Sequence, residues 1–254
     1  MLVRNPADEQ WWFEQNEAAQ TRLRQMKWAR EDVPALKAEA AKYPPRTAFI
    51  FGTGPSIEEV TPSQWTALSC FWSVGLNKFP YWLQKTHQRF DVPKLCMVMD
   101  RKMTGPIALQ IAEGMSRCEA KTLASTTAFA WVHEYDGIVF GSPTWDMEYG
   151  LAITPTPKVR FNRCVAPAAH LCALLGFDVY LVGIDHGPCY TPRPNMIQET
   201  ERANLALKHY QEDFLDQRGL KLYQCGKRSS ITTVPYRDLN EVLDHALTNL
   251  CATA

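Results

Sequence analysis

Short apolar runs that stop at a glycine or an aspartate, each leading into a helix-forming stretch, recur through this chain and restrict its fold more than any other feature. "TAFIFG" (47–52), "KLCMVMD" (94–100) and "DVYLVGIDHG" (178–187) are the clearest runs, and "ALSCFWSVGLNKF" (67–79) contains another. A run of four to six apolar residues bounded in this way suits a strand buried on both faces. Helical stretches lie between the runs: "TGPIALQIAEGMSRCEA" (104–120), "VAPAAHLCALLGF" (165–177, stopped at Gly176) and "TERANLALKHYQEDFLDQRG" (200–219, stopped at Gly219). "KTLASTT" (121–127) reads as a short strand, "EYDGIVFGSPTWDMEYG" (134–150) as a strand and an aromatic-rich loop, and "LKLYQCG" (220–226) as a late strand. "PYRDLNEVLDHAL" (235–247) closes the chain as a helix, with Pro235 and Asp238 near its start. The alternation predicts an α/β architecture: a mostly parallel sheet with helices on both faces.

Residues 9–41 interleave aromatic and charged residues among helix formers, and "YPPR" (43–46) ends them. The division expected is an N-terminal helical extension over 1–46 and a main α/β domain over 47–254. No internal repeat suggests a solenoid.

Equal numbers of basic and acidic residues, 27 of each, give no global attraction to nucleic acid, so any phosphate contact must come from a local patch. Met1 to Phe13 carries Arg4, Asp8 and Glu9 and lacks the apolar core of a secretory signal, and no uncharged apolar stretch approaches a membrane span. A cytoplasmic protein without an integral membrane segment is expected. The eight cysteines include no CxxC and sit mostly in apolar surroundings, which suits reduced core thiols better than zinc ligands.

The turn in "FIFGTGPSIEEV" (49–60) is the first candidate site. Gly52 and Gly54 permit a tight turn and close approach to the backbone, while Ser56 and Glu59 have the spacing of a capping box. Free amides at such a helix start, together with the Ser56 hydroxyl, suit a phosphate; an ordinary strand-to-helix turn is the competing reading. The full dinucleotide fingerprint and the Walker lysine are both missing, which argues against NAD chemistry and P-loop hydrolysis.

Other polar residues fall at strand ends, where open α/β sheets bind ligands. Asn77 offers an amide to a base, sugar or phosphate. Asp100 and Asp185 suit a ribose hydroxyl, a divalent cation or a proton, and His186 suits a base or a phosphate donor. Tyr190 and Arg193, in the proline-rich "CYTPRPN" (189–195), would stack on a base and attract phosphate. Lys227, Arg228, Ser229 and Ser230 form a further phosphate-compatible cluster after the late strand. Each has a plain structural counterpart as a turn, cap or solvated residue.

The order of these motifs resembles two related Rossmann-like groups: the bacterial CMP-sialic-acid-dependent sialyltransferases and the 6-hydroxymethylpterin diphosphokinase-like proteins. "GTGPS" and "NKF" match the sialyltransferase phosphate turn and nucleotide motif, so the resemblance assigns Gly52, Gly54, Pro55, Ser56 and Asn77 to nucleotide binding. "YLVGIDHG" resembles a strand end common to both groups, and "CGKRSSITTVPYRDLNEVL" the C-terminal region of the second. The leading expectation is a glycosyltransferase that moves a sugar from a nucleotide-sugar donor to a hydroxyl acceptor on a small molecule or glycan, with Asp185, His186 and Asp100 catalytic. One alternative is a magnesium- and ATP-dependent diphosphokinase or phosphotransferase, with Asp100 and Asp185 on the metal. Another is a noncatalytic nucleotide- or nucleic-acid-binding module. A nucleic-acid acceptor and a homo-oligomeric state stay open.

Overall fold

The computed structural model describes residues 37–44, 46–98, 109–111, 113–114, 117–118, 120–125, 137–141, 147–149, 165–185 and 196–253. Most of the expected N-terminal extension lies outside this set. Its last residues do not: Ala40 is buried, and the Tyr43 ring meets Trp72 edge-on at 5.7 Å between centroids.

Eight strands among the described residues form one sheet. They are β1 (Thr47–Phe51), β2 (Trp72–Leu76), β3 (Leu95–Val98), β4 (Lys121–Ser125), β5 (Gly137–Gly141), β6 (Met147–Tyr149), β7 (Asp178–Val182) and β8 (Leu222–Gln224), in the spatial order 6-5-4-3-2-1-7-8. Every neighbouring pair is parallel except β5 with β6. β6 falls within the stretch expected to be an aromatic-rich loop, and its three residues turn back to pair with β5.

The helices are α1 (Pro62–Leu68), α2 (Phe79–His87), α3 (Val165–Leu174), α4 (Met196–Tyr210) and α5 (Leu239–Thr253), and residues 109–111 and 113–114 are also helical. Alternation along the strands sends successive side chains to opposite faces. Ala48 and Ile50 of β1, Trp72 and Val74 of β2, and Val179 and Leu181 of β7 join residues of α3 and α4 in one apolar core. Phe49, Phe51 and Val182 face the other way, into a core with α1, α2 and α5. All five residues of β1 are buried, as a strand covered on both faces requires. Each large side chain so buried contributes about 1.5–3 kcal/mol relative to exposure.

Local chemistry sets the helix ends. Thr61 and Gln64 form a reciprocal capping box at α1, and Asp238 accepts from the Asn240 amide at 2.9 Å to start α5. Gly176, at φ +91°, follows α3. α4 passes through a π turn (Gln211–Leu215) and a 3-10 turn (Asp216–Arg218) before Gly219, at φ +62°. Along the edge strand β8, the Gln224 amide donates to the Pro235 carbonyl at 3.0 Å, and the Arg237 amide donates to the Gln224 carbonyl at 2.9 Å. That segment covers part of an otherwise open strand edge.

Candidate functional site at the carboxyl edge of the sheet

β1 lies between β2 and β7: in sequence the strands run outward from β1 through β2 to β6, and the chain then returns to place β7 and β8 on the other side of β1. The order 3-2-1-7-8 therefore has its switch point beside β1, the usual position of a ligand crevice in an open parallel sheet. The glycine turn after β1 and the Gly183–Asp185 exit of β7 meet at that point.

Backbone hydrogen bonds extend the β1–β7 pairing beyond the strands. The Gly52 amide donates to the Val182 carbonyl at 3.0 Å, and the Gly54 amide donates to the Gly183 carbonyl at 2.7 Å. Asp185, 1% exposed, then accepts the Ser56 amide on Oδ2 at 2.7 Å and the Ser56 hydroxyl on Oδ1 at 2.5 Å. The Asp185 carbonyl accepts from the Ser230 amide at 2.7 Å and the Ser229 hydroxyl at 3.0 Å, bringing in the loop after β8. α4 joins the same tie through Asn204, which donates to the Ser230 carbonyl at 2.9 Å and accepts from the Thr232 amide at 2.7 Å.

The expected free amides at this turn are corrected by these distances: the Gly54 and Ser56 amides already donate within the protein. The expected capping box from Ser56 to Glu59 is also replaced. The turn enters a short 3-10 helix (Pro55–Glu59) whose cap position is Gly54, with no side-chain cap. Ser56 spends its hydroxyl on Asp185 because a buried carboxylate must be hydrogen-bonded.

Glycine at position 54 is a matter of space, since its φ of −71° suits any residue. A Cβ there would lie 2.6 Å from Asp185 Oδ2, and one at Gly226 would lie 2.6 Å from Asp185 Oδ1 and 2.7 Å from Ser56 Oγ. The group closely approached by the backbone is thus the protein's own aspartate. A Cβ on Gly52 would meet the Gly183 carbonyl oxygen at 2.6 Å, while Gly183 itself adopts φ +67°, where glycine is favoured.

Asn77 stands immediately beyond β2, half-buried and at φ +49°, with its amide donating to the Met97 carbonyl at 2.9 Å. Pro55 is exposed. Lys227 and Arg228 are exposed on the loop after β8, each beside a carboxylate: Lys227 Nζ is 3.5 Å from Asp238 and Arg228 Nε is 3.6 Å from Glu59. Arg228 thereby bridges the β8 loop and the 3-10 helix. The Cys225 thiol is pushed up to about 12 by burial, with the Asp238 charge adding to the effect, so it stays protonated near neutral pH.

Gly54, Ser56, Asp185 and Ser229 are thus brought together directly, Gly52 lines the same junction, and Asn77, Lys227 and Arg228 occupy ends of strands in the same sheet. Asp100, His186, Tyr190 and Arg193 lie outside the described residues. Two members of the tie were missed as site residues: Gly226 and Asn204. A glycine directly after an apolar strand and an asparagine on an otherwise apolar helix pattern were the available signals. Among the described residues, no group of three or more histidine, cysteine, aspartate or glutamate side chains is arranged to hold a metal ion.

Fold and edge together define an α/β protein with Rossmann-like strand order and a polar, hydrogen-bonded switch point. No family model matches the chain, and no curated protein matches it. Among solved structures it is similar to the MAf glycosyltransferase from Magnetospirillum magneticum AMB-1, with a TM-score of 0.51 and 12% identity. That match covers 83% of this chain and 38% of the other, so the likeness concerns the fold and extends over well under half of the neighbour. No helix among the described residues is long and apolar enough to cross a membrane.

Proposed function

We propose that the protein is a glycosyltransferase that moves a sugar from a nucleotide-sugar donor to a hydroxyl acceptor. The observation that carries this reading is the tie centred on Asp185, which fixes the exits of β1, β7 and β8 together at the switch point of the sheet. The fold likeness to a glycosyltransferase supports it.

In this reading Asp185 is a positioning residue. Its carboxylate holds the Gly52–Ser56 turn as one wall of the donor crevice, and Ser229 braces the same aspartate from the β8 loop. Asn77 reads the nucleotide from the end of β2. Lys227 and Arg228, exposed and only loosely paired, exchange their carboxylate partners for the donor phosphates; Tyr190 and Arg193 complete the mouth. The sugar–phosphate bond breaks with its electron pair leaving on the phosphate, whose charge the cations and remaining polar donors stabilise. His186, next to the anchored Asp185, takes the acceptor hydroxyl proton as the new glycosidic bond forms, and Asp100 stabilises positive charge on the opening sugar.

The resemblance to the sialyltransferase and diphosphokinase-like groups supports a donor turn at Gly52–Ser56 in this scheme. Magnesium-dependent diphosphate transfer from ATP is the rival. It asks Asp185 to hold a cation together with Asp100, whereas both Asp185 oxygens already accept from Ser56. Sugar transfer needs no such exchange and is preferred.

The test incubates the full chain with a panel of nucleotide sugars, with and without magnesium, and follows nucleotide release and acceptor mass. Transfer of a sugar residue supports the proposal. AMP release with a two-phosphate mass gain selects the diphosphokinase, and absence of donor binding across the panel overturns both.

A further inference from the structure

Cys96 and Cys118 form a thiol pair remote in sequence from every residue of the Asp185 tie. Cys96 is on β3 and 1% exposed; Cys118 is half-buried on the approach to β4. The Cys96 thiol donates to Cys118 Sγ at 3.8 Å, and Cys118 Sγ lies 4.0 Å from the Pro93 carbonyl oxygen. β3 and β4 pair in parallel with Cys96 opposite Thr122, so Cys96 is anchored in the sheet and Cys118 precedes the neighbouring strand by a few residues.

We propose that Cys96 and Cys118 are an oxidisable dithiol that closes to an intramolecular disulfide in the folded protein. Bond formation requires the sulfurs to approach to about 2.0 Å. Cys118 is the half-buried partner and lies outside the strands, so its side chain supplies that movement. With a peroxide as oxidant, the Cys118 thiolate attacks one oxygen, the O–O bond breaks, and hydroxide leaves to give a sulfenic acid. The Cys96 thiol then attacks the Cys118 sulfur and water departs. Two thiols are oxidised, one peroxide is reduced, and two waters form in total. Burial shields Cys96 from direct attack and reserves it for the second step.

The bridge would close a sequence separation of 22 residues, and Asp100 falls between the two cysteines in sequence. Oxidation therefore restrains the chain leading away from one of the proposed site residues. The inference does not depend on the identity of the transferred group.

Full-length protein treated with stoichiometric hydrogen peroxide under native conditions, alkylated and digested without reduction, tests it by mass spectrometry. A Cys96–Cys118 linked peptide is expected, with the number of free thiols falling by two. Cys96→Ala should leave a Cys118 sulfenic acid that dimedone captures, and Cys118→Ser should leave Cys96 reduced. A cross-link between a different pair, or accumulation of Cys118 sulfinic acid in folded wild-type protein, would overturn the proposal. So would an equal rate of Cys96 modification in the Cys118→Ser variant and the wild type, because it shows that Cys96 reacts without its partner.

Discussion

Asp185 accepts both the backbone amide and the hydroxyl of Ser56, 129 residues away in sequence, and nearly all of its surface is withdrawn from solvent. Each residue satisfies the other's polar groups at the point where two parallel strands leave the sheet.

Removing one partner should therefore cost more than an ordinary surface hydrogen bond. Ser56→Ala deletes one donor, and Asp185→Asn places an amide NH2 against a donor; each is expected to destabilise by about 2–3 kcal/mol. Urea denaturation of the single and double variants checks this. The double variant should lose less than the sum of the singles, because the residues share one interaction.

Gly226→Ala tests the packing of the same tie. The new Cβ would lie 2.6 Å from Asp185 Oδ1 and 2.7 Å from Ser56 Oγ, closer than carbon and oxygen can pack, so about 1–3 kcal/mol of destabilisation is expected from overpacking. Gly219→Ala is the comparison: nothing lies within 4 Å of its added Cβ, and its positive φ alone should cost about 1 kcal/mol. Thermal or urea denaturation should show the Gly226 variant responding non-additively with Ser56→Ala and the Gly219 variant responding additively.

Asn77→Gly keeps a backbone suited to φ +49° while deleting the amide side chain. Under the proposed function, nucleotide-sugar affinity should fall by about tenfold, corresponding to one lost hydrogen bond. Titration calorimetry measures the affinity and circular dichroism checks that the fold is kept. Unchanged affinity would remove Asn77 from the nucleotide site.

His170 gives the fold an acid-sensitive point away from the edge. It is buried on α3 with Nδ1 3.2 Å from the Tyr210 hydroxyl, and burial, aided by the Arg218 charge, lowers its pKa from 6.5 to about 4. Between those values the unfolded chain binds a proton that the folded chain refuses, so stability falls as pH drops through this window and is fully present above it. The loss amounts to about 3 kcal/mol by pH 4. His170→Gln, which retains a hydrogen-bonding group, should show that much less acid destabilisation in urea titrations at pH 7, 5.5 and about 4.

The strand framework was legible because β1 and β2 are short runs buried on both faces and β3 and β7 are short, largely apolar runs beside them, a pattern set by the sheet itself. Gly176 and Gly219 marked helix ends for the same local reason that puts them at positive φ. The meeting of Gly52–Ser56 with Gly183–Asp185 followed from both lying at carboxyl ends of parallel strands. Sequence could not reveal that Asp185 would consume the Ser56 donors, because that bond depends on β1 and β7 being neighbours. The sheet order decides it. Spacing likewise suggested a local cap from Ser56 to Glu59, but a buried carboxylate outcompeted the local partner. Gly226 and Asn204 escaped notice because a glycine after a strand and an asparagine in a helix have meaning only once Asp185 and the β8 loop are placed around them.

A crystal structure of the full chain soaked with CMP- and UDP-sugars tests the central claim most directly. The account predicts donor phosphate at the carboxyl edge between the exits of β1, β2 and β7, with the Ser56–Asp185 pair intact beneath it. A donor seated elsewhere, or one that reaches the edge only by displacing Ser56 from Asp185, would contradict it.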